Sequence, residues 1–528
     1  MKPAIATMLI LMLLAAAPSH ADDWPMLGRD GTRNAVSPEK NPPTFWQIEG
    51  VPTKFENQRP IEWTTESKNV KWKAELGINP SGIPVVADGL VWIGTTHKDP
   101  SVKRAGLLKC FRERDGKLLY EYESPMHKDA LGRSTRSPWL GICSTPLVEG
   151  DRLWFTSLGP ELVCLDIAPL KRGEGEPIVV WKRDMRREWG VYPIVSSMGL
   201  GFTGSVAVHE HLLYAITGNG ADWNQPPQAP EAPSLVCLDK RTGELIWQDA
   251  SPGANILYAQ WGSPLVAAIG GRTQVIVPQG DGWIRSFNAL TGELIWKFDI
   301  HPKESTRRSR GGGPCDNFMG ALGAPVFHDG HVYIALGQTP EVAEGPGRLV
   351  CIDPTKIGDI SSELAVDADG NPLPQRRIQA VDPAQGERAI ANPNSGLVWE
   401  YTTFDRDGDG EIDFEEEFHR TIASVAIKDS LLIAVDFSGL VHCLDAATGK
   451  VHWTYDCFAA VWASPLIVDD KVYVADEDGE VAIFRLTAEA HEPLREISFP
   501  GCIYSSPVFA NGTLYVADRH TLFAIADE

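Results

Sequence analysis

The chain has 528 residues, and 70 aspartates and glutamates against 48 lysines and arginines leave a formal net charge of −22 at pH 7. That balance excludes nucleic-acid binding driven by bulk positive charge. The length suits about two or three ordinary domains or one large all-β domain, and either can bury a sizeable core.

Lys2 is followed by an apolar run from Ala4 to Ala17, then Pro18 and the triplet Ser19-His20-Ala21. A short charged start, an apolar stretch too short to span a bilayer and a small-x-small site describe a secretory signal peptide. Cleavage is expected after Ala21, leaving Asp22 as the N-terminus of a periplasmic or secreted protein. No cysteine follows that site, so no lipid attachment is expected, and no transmembrane segment is expected in the mature chain. Residues 22–68 read as an N-terminal extension ahead of a repeat region that fills 69–528.

The repeat unit is a run of short β-branched and aromatic strands punctuated by turn residues, as in Ser464–Val468, Asp469-Asp470, Lys471–Ala475, Asp478-Gly479 and Glu480–Leu486. Units of about 40 residues with four strands are the signature of a β-propeller. The innermost strand, A, begins near Pro84, Pro146, Val206, Pro264, Pro325, Val425, Pro465 and Pro507. Strand B follows, as in Leu90–Gly94, Leu153–Thr156, Leu212–Ala215, Val332–Ala335 and Leu514–Ala517. Strand C reads Leu-Val-Cys-Leu-Asp at 162–166 and 235–239, a Thr-Gly turn recurs at Thr242-Gly243, Thr291-Gly292 and Thr448-Gly449, and strand D carries Trp181, Trp247, Trp296, Trp399 or Trp453. Asn69–Leu76 is a strand D without a preceding C, and Thr521–Asp527 is a C without a following D. Pairing them closes a ring of eight four-stranded antiparallel blades and leaves no edge between first and last.

Five of the nine cysteines (Cys110, Cys164, Cys237, Cys351 and Cys443) fall at one repeat position, too far apart to bridge, and read as small core residues. For Cys143, Cys315, Cys457 and Cys502, in connectors or strand starts, a disulfide is open and its pairing is not fixed by sequence. The strand-D tryptophans are expected to pack between neighbouring blades.

Two insertions interrupt the repeat. Residues 354–395 lie between C and D of blade 5, on the face opposite the other long connectors, and their Pro-, Asp- and Gln-rich composition suggests partial disorder. Residues 405–416 match the twelve-residue EF-hand loop position by position. Asp405, Asp407 and Asp409 stand at positions 1, 3 and 5, Gly410 at the sharp turn, and Glu411 at the backbone-carbonyl position. Ile412 is the apolar anchor, Asp413 stands at 9 and Glu416 at the bidentate position 12. Gly396–Thr403 upstream is a strand and Phe414–Ile422 downstream a short helix, so a structural calcium staple is expected rather than a switch.

The strings VCLDKRTGELIW at 236–247 and LVHCLDAATGKVHW at 440–453 resemble the pyrroloquinoline-quinone-like (PQQ-like) propeller repeat. The resemblance covers nearly the whole mature chain and implies the eight-bladed fold. It leaves function open. The family contains quinoprotein alcohol and glucose dehydrogenases and also a non-enzymatic propeller lipoprotein of the outer-membrane β-barrel assembly machine. The adjacent cysteine pair of the alcohol dehydrogenases is absent here, their dispersed Glu, Asn and Asp calcium ligands have no match at named positions, and the lipid-bearing cysteine of the assembly member is missing.

In a four-stranded meander the D–A and B–C connectors share one face, and most long insertions lie there. Their side chains nominate a ligand face: Arg133, Arg136, Trp139, Trp189, Tyr258, Gln260, Trp261, Arg307, Arg308, Arg310, Asp316 and Asn317, with His301 and Lys303 beside them. Arginine forks grip carboxylates and aromatic faces hold flat rings or sugars, so an anionic or carbohydrate-like ligand, or an envelope protein, is the expected partner. No P-loop, dinucleotide fingerprint, nucleophile elbow or His-Glu-x-x-His is present. The leading expectation is a monomeric, exported, non-enzymatic binding or scaffold propeller with one structural calcium. The alternatives are a PQQ-dependent dehydrogenase acting on an alcohol or sugar, and a polysaccharide-binding accessory.

Overall fold

The structure, a computed structural model, describes residues 23–527 apart from 57–58, 79–81, 98–104, 126–140, 160, 193–203, 222–225, 258–259, 304–321, 338–344, 378 and 491. It is an eight-bladed β-propeller of four-stranded antiparallel blades. The eight strands A are Val85–Ala87, Leu147–Glu149, Ala207–His209, Leu265–Ile269, Val326–His328, Ala426–Lys428, Leu466–Val468 and Val508–Ala510, each one residue past its predicted start. Strands B and C lie between flanking blades and are buried on both faces, as in Leu212–Ile216 and Leu235–Asp239, whereas strand D at Leu245–Asp249 is half exposed. That is why B and C read as continuous apolar runs. Thr521–Ile525 pairs antiparallel with Val70–Glu75, so the last blade takes its outer strand from the start of the repeat region.

The strand-D tryptophans join consecutive blades. Trp181 donates its indole N–H to Lys240 O, Trp247 to Ala289 O, Trp399 to Ala446 O and Trp453 to Thr487 O, each acceptor in the next blade's C–D turn. Trp72 does the same across the ring closure, to Glu113 O. The glycine of each Thr-Gly turn lies against the preceding tryptophan. Gly449 has φ +72, and a Cβ there would stand 2.6 Å from Trp399 Cδ2. Gly449→Ala is therefore expected to cost about 2–4 kcal/mol, as strain plus overpacking. Gly512 has φ +68 and open space, so Gly512→Ala carries the strain alone. Equal denaturation midpoints for the two variants would show that the tryptophan contact contributes nothing.

The five repeat cysteines are buried, and Cys164, Cys237, Cys351 and Cys443 stand opposite strand-D tryptophans. Cys457 and Cys502 are free thiols, Cys143 is buried, and Cys315 lies outside the described residues.

Two devices hold the strands A around the axis. The first is a series of hydroxyls two residues before successive strands A. Backbone N–H of Thr145 donates to Ser205 Oγ and that of Ser205 to Ser263 Oγ. Ala324 donates to Ser424, Ser424 to Ser464 and Ser464 to Ser506 in the same way. The second is the N-terminal extension, which runs along the inner edges of the blades in blade order. Trp24 exchanges both backbone bonds with Val86 of blade 1, and Pro25 O accepts from Val148 of blade 2. Arg33 reaches Val206 O of blade 3 and Pro264 O of blade 4. Thr32 O accepts from Phe327 of blade 5, and the Asn34 amide makes both bonds to Ile427 of blade 6. Val36–Ser37 pairs parallel with strand A of blade 7, and Glu39 accepts from Gly512 of blade 8. Innermost strands otherwise present an unpaired edge, and this strap satisfies it. It lies toward the A–B turns, the lower face, since Asp23 bonds Asp88 N and Asn511 there.

The 354–395 insertion departs from expectation. It leaves the lower face, but Gly358–Asp359 adds parallel to strand D of blade 4, and Glu363–Val366 pairs with Arg388–Ala391 as a hairpin. Beyond these, Gln375 donates to Asp281 and Val381 N–H to Lys303 O, both on the upper, connector-rich face. Backbone pairing along the outer edge of blade 4 orders a segment whose composition suggested disorder.

Candidate metal centre and channel mouth

The acidic loop grows out of strand D of blade 5, Leu397–Tyr401, on the way to strand A of blade 6. A β-clamp closes its base: Phe404 N–H bonds Glu416 O and Phe418 N–H bonds Thr402 O, around a bridge between Thr403 and Glu417. Within it Asp405 accepts from Gly408 N and Gly410 N, both glycines being left-handed at φ 76 and 87. The Glu416 carboxylate, only 2 % exposed, accepts from Arg406 N and Asp413 N. Oxygens of Asp405, Asp407 and Glu416, positions 1, 3 and 12, lie within 4.8 Å of one another. Asp409, Glu411 and Asp413 are exposed along the same loop. Desolvation and then the charges of Glu416, Asp409, Glu415 and Asp407 raise the Asp413 carboxyl above its ordinary pKa. The expected downstream helix is a single 3-10 turn, Phe414–Glu416, because Phe418 is drawn into the β-clamp.

Both ends of the loop run into a buried polar chain. Tyr401 OH lies 3.1 Å from His442 Nδ1, His442 Nε2 lies 3.0 Å from Asp436 Oδ2, and the same oxygen lies 3.1 Å from His419 Nδ1. Burial opposes the Asp436 charge, but hydrogen bonds from His419 and His442 outweigh it and hold the carboxyl well below the carboxylate range. The Phe414 ring packs on His419 at 4.4 Å, tying the acidic loop to this chain.

Beside it, the upper mouth of the channel at blades 6 to 8 is walled by aromatic rings. Phe437 meets Trp462 edge-on at 4.7 Å, and Trp462 meets Tyr504 edge-on at 5.4 Å. The Glu477 carboxylate accepts from Trp462 Nε1 at 2.9 Å and from Tyr504 OH at 3.1 Å. The guanidinium of Arg420 lies over Phe437 at 4.7 Å. Neighbouring Asp476 is buried and bonds Glu480 N. Desolvation, with the charges of Glu480 and Asp478, pushes its carboxyl up to about 6. Because the folded state holds this proton more tightly than the unfolded chain, Asp476 costs stability as pH rises through about 4 to 6. Asp476→Asn keeps an acceptor for Glu480 N. Its melting temperature should match the parent near pH 4 and exceed it increasingly up to pH 7. A difference independent of pH would refute this assignment.

Of the residues nominated from sequence, Trp189 ends the short helix Met185–Trp189, half-buried against blades 2 and 3. Gln260 is buried, donates to Asn219 O and Ser234 Oγ and accepts from Gly280 N, stitching blades 3 and 4. Trp261 is half-buried three residues before Pro264, the repeat position that Trp462 holds before Pro465 and Tyr504 before Pro507. His301 and Lys303 turn inward onto buried Asp299 rather than outward. Arg133, Arg136, Trp139, Tyr258, Arg307, Arg308, Arg310, Asp316 and Asn317 lie outside the described residues. The Phe437–Trp462–Tyr504 wall was not nominated. Its signal is the aromatic before Ser-Pro, in Trp261-Gly-Ser-Pro, Trp462-Ala-Ser-Pro and Tyr504-Ser-Ser-Pro.

Comparison with known proteins supports a PQQ-like propeller. A family model described as outer membrane protein assembly factor BamB matches residues 374–525. BamB of Shewanella oneidensis is 22% identical over 333 residues, 58% of this chain and 77% of that protein. A polyvinylalcohol dehydrogenase from a Sphingopyxis species is 30% identical over 122 residues, 22% of this chain and 18% of the enzyme. The crystal structure of BamB from Moraxella catarrhalis superposes with a TM-score of 0.51 at 12% identity, covering 86% of this chain and 96% of that one, which speaks to the fold. Among the described residues no helix is long and apolar enough to cross a membrane.

Proposed function

We propose that the protein is an exported, non-enzymatic binding or scaffold propeller of the cell envelope, stapled by one calcium ion and presenting its upper face to a partner. The observation that carries this reading is the asymmetry of the ring. The strap holds the strands A on the lower side, and the metal loop, the aromatic wall and the folded 354–395 insertion all converge on the upper side. The likeness to proteins named as outer-membrane assembly factors favours an envelope protein as the partner.

The second reading, a PQQ-dependent dehydrogenase, is favoured by the stretch shared with polyvinylalcohol dehydrogenase. One titration separates the two. The purified protein, with calcium and then with chelator, is mixed with pyrroloquinoline quinone while quinone absorbance is followed. In parallel it is crosslinked to envelope extract. A flat quinone titration with saturable capture of one discrete envelope protein is the expected result. Saturable, calcium-dependent quinone binding would replace the scaffold by the dehydrogenase.

A further inference from the structure

The aromatic wall at the channel mouth has an electrostatic character that its hydrogen bonds define. Trp462 and Tyr504 each own one polar hydrogen, and both are spent on Glu477. What the two side chains still offer a ligand is ring face, and the face of an aromatic ring is its negative pole. The edge-on contacts of Trp462 with Phe437 and with Tyr504 set the ring planes at 78° and 86°, so they form corners rather than a flat platform. Phe437, Trp462, Glu477 and Tyr504 are all half-buried and reachable from solvent.

The floor of this corner is the B–C turn of blade 7, Asp476-Glu477-Asp478-Gly479-Glu480. Among the described residues none of its four carboxylates forms an ion pair, although surface carboxylates elsewhere in the chain do, such as Asp115 with Arg112 and Asp151 with Lys171. Asp476 is 4 % exposed, and its carboxylate accepts from backbone N–H groups of its own turn, Glu480 and Asp478. The corner already accepts a cation from one side, since Arg420 covers Phe437.

We infer that the Phe437–Trp462–Tyr504 corner with the Asp476–Glu480 turn is a binding site for an organic ammonium group. Ring faces and carboxylates are the two surfaces that favour a desolvated cation, and here they meet with the polar hydrogens of Trp462 and Tyr504 already used on Glu477. The group comes either from a small quaternary or polyamine ligand or from a lysine side chain of a partner protein. The inference deepens the binding reading by naming a ligand chemistry, but it is tested without any partner.

The test is calorimetric titration of the calcium-loaded protein with choline, with spermidine and with N-acetyl-lysine amide at constant ionic strength, with methyl glucoside as the neutral comparator. Saturable binding of the cations and none of the sugar is expected. Trp462→Leu should weaken cation binding about tenfold and Glu477→Gln about threefold. Tyr504→Phe, which keeps the ring and loses only the hydroxyl, should bind as well as the parent. Unchanged melting temperatures exclude misfolding as the cause. Preference for choline marks a small-molecule source, and preference for the lysine amide marks a protein source. Sugar binding that Tyr504→Phe abolishes, or cation binding indifferent to Trp462→Leu, would overturn the site. Either failure leaves the envelope-capture experiment intact as a separate test of the scaffold.

Discussion

Arg33→Met is expected to be among the most damaging single substitutions in this protein. Arg33 is 2 % exposed, and its guanidinium donates to Pro264 O, Leu27 O and Val206 O. No carboxylate forms an ion pair with it among the described residues, so three carbonyls satisfy a buried charge. Burial outweighs the nearby Asp30 charge and lowers its pKa to about 10, leaving it protonated at neutral pH. Methionine fills much of the stem volume but orphans all three carbonyls, at about 1–3 kcal/mol each before relaxation. A net loss of about 3–5 kcal/mol follows. Lysine carries its charge at a single point and cannot imitate the planar fork that spans two blades and the strap. Urea denaturation of the parent, Arg33→Met and Arg33→Lys measures the effect. A change below about 1 kcal/mol for methionine would mean that the strap is not integral to the ring. Should Arg33→Met fail to fold, Asn34→Ala, which removes two bonds to Ile427 only, gives a milder reading of the same contact.

The blades were legible because they repeat. Each strand A is announced by its Pro or Val and by β-branched residues, and strands B and C advertise two-sided burial by runs such as Leu-Val-Cys-Leu-Asp. The closure of Val70–Glu75 onto Thr521–Ile525 followed from unmatched halves of one repeat. The strap was illegible for a physical reason. It makes one or two contacts per blade through its backbone and single polar side chains, and that leaves neither a period of 2 nor of 3.6. Its composition, with Gly28 at φ +68 and Arg33 at φ 63, follows from a tight coil that no repeat encodes. The 354–395 insertion misled for the related reason that a polar segment is ordered once another strand's edge supplies its hydrogen bonds.

The candidate sites divide in the same way. The acidic loop is a local motif, so its spacing marks it in the sequence as a candidate metal site. The connector cations were judged by composition, and His301 and Lys303 show how composition errs: a buried aspartate two to four residues earlier turns them inward. Trp462 and Tyr504 sit in short connectors three residues before Pro465 and Pro507, away from the long insertions, and only the comparison of blades singles them out.

On the proposed calcium reading, chelation at the 405–416 loop is expected to produce the second large effect. Asp405, Asp407 and Glu416 already converge, and the glycine geometry and backbone donors hold the loop in that shape. Four aspartates and Glu416 gathered this closely repel one another without a divalent cation. With calcium a hundredfold above its dissociation constant, binding stabilises the folded state by about 2.7 kcal/mol. Chelation should therefore lower the melting temperature by several degrees, and added calcium should restore it. Glu416→Gln should behave like the chelated parent and respond to neither. Because the loop base is clamped to Tyr401 and Phe418, and Phe414 rests on His419, loss of the ion should also loosen the buried Tyr401–His442–Asp436–His419 chain. Hydrogen exchange would show this as faster exchange at 418–442 with blades 1 to 3 unaffected. A melting temperature indifferent to chelator would remove the staple, and a loss of protection spread evenly over all blades would remove its local character.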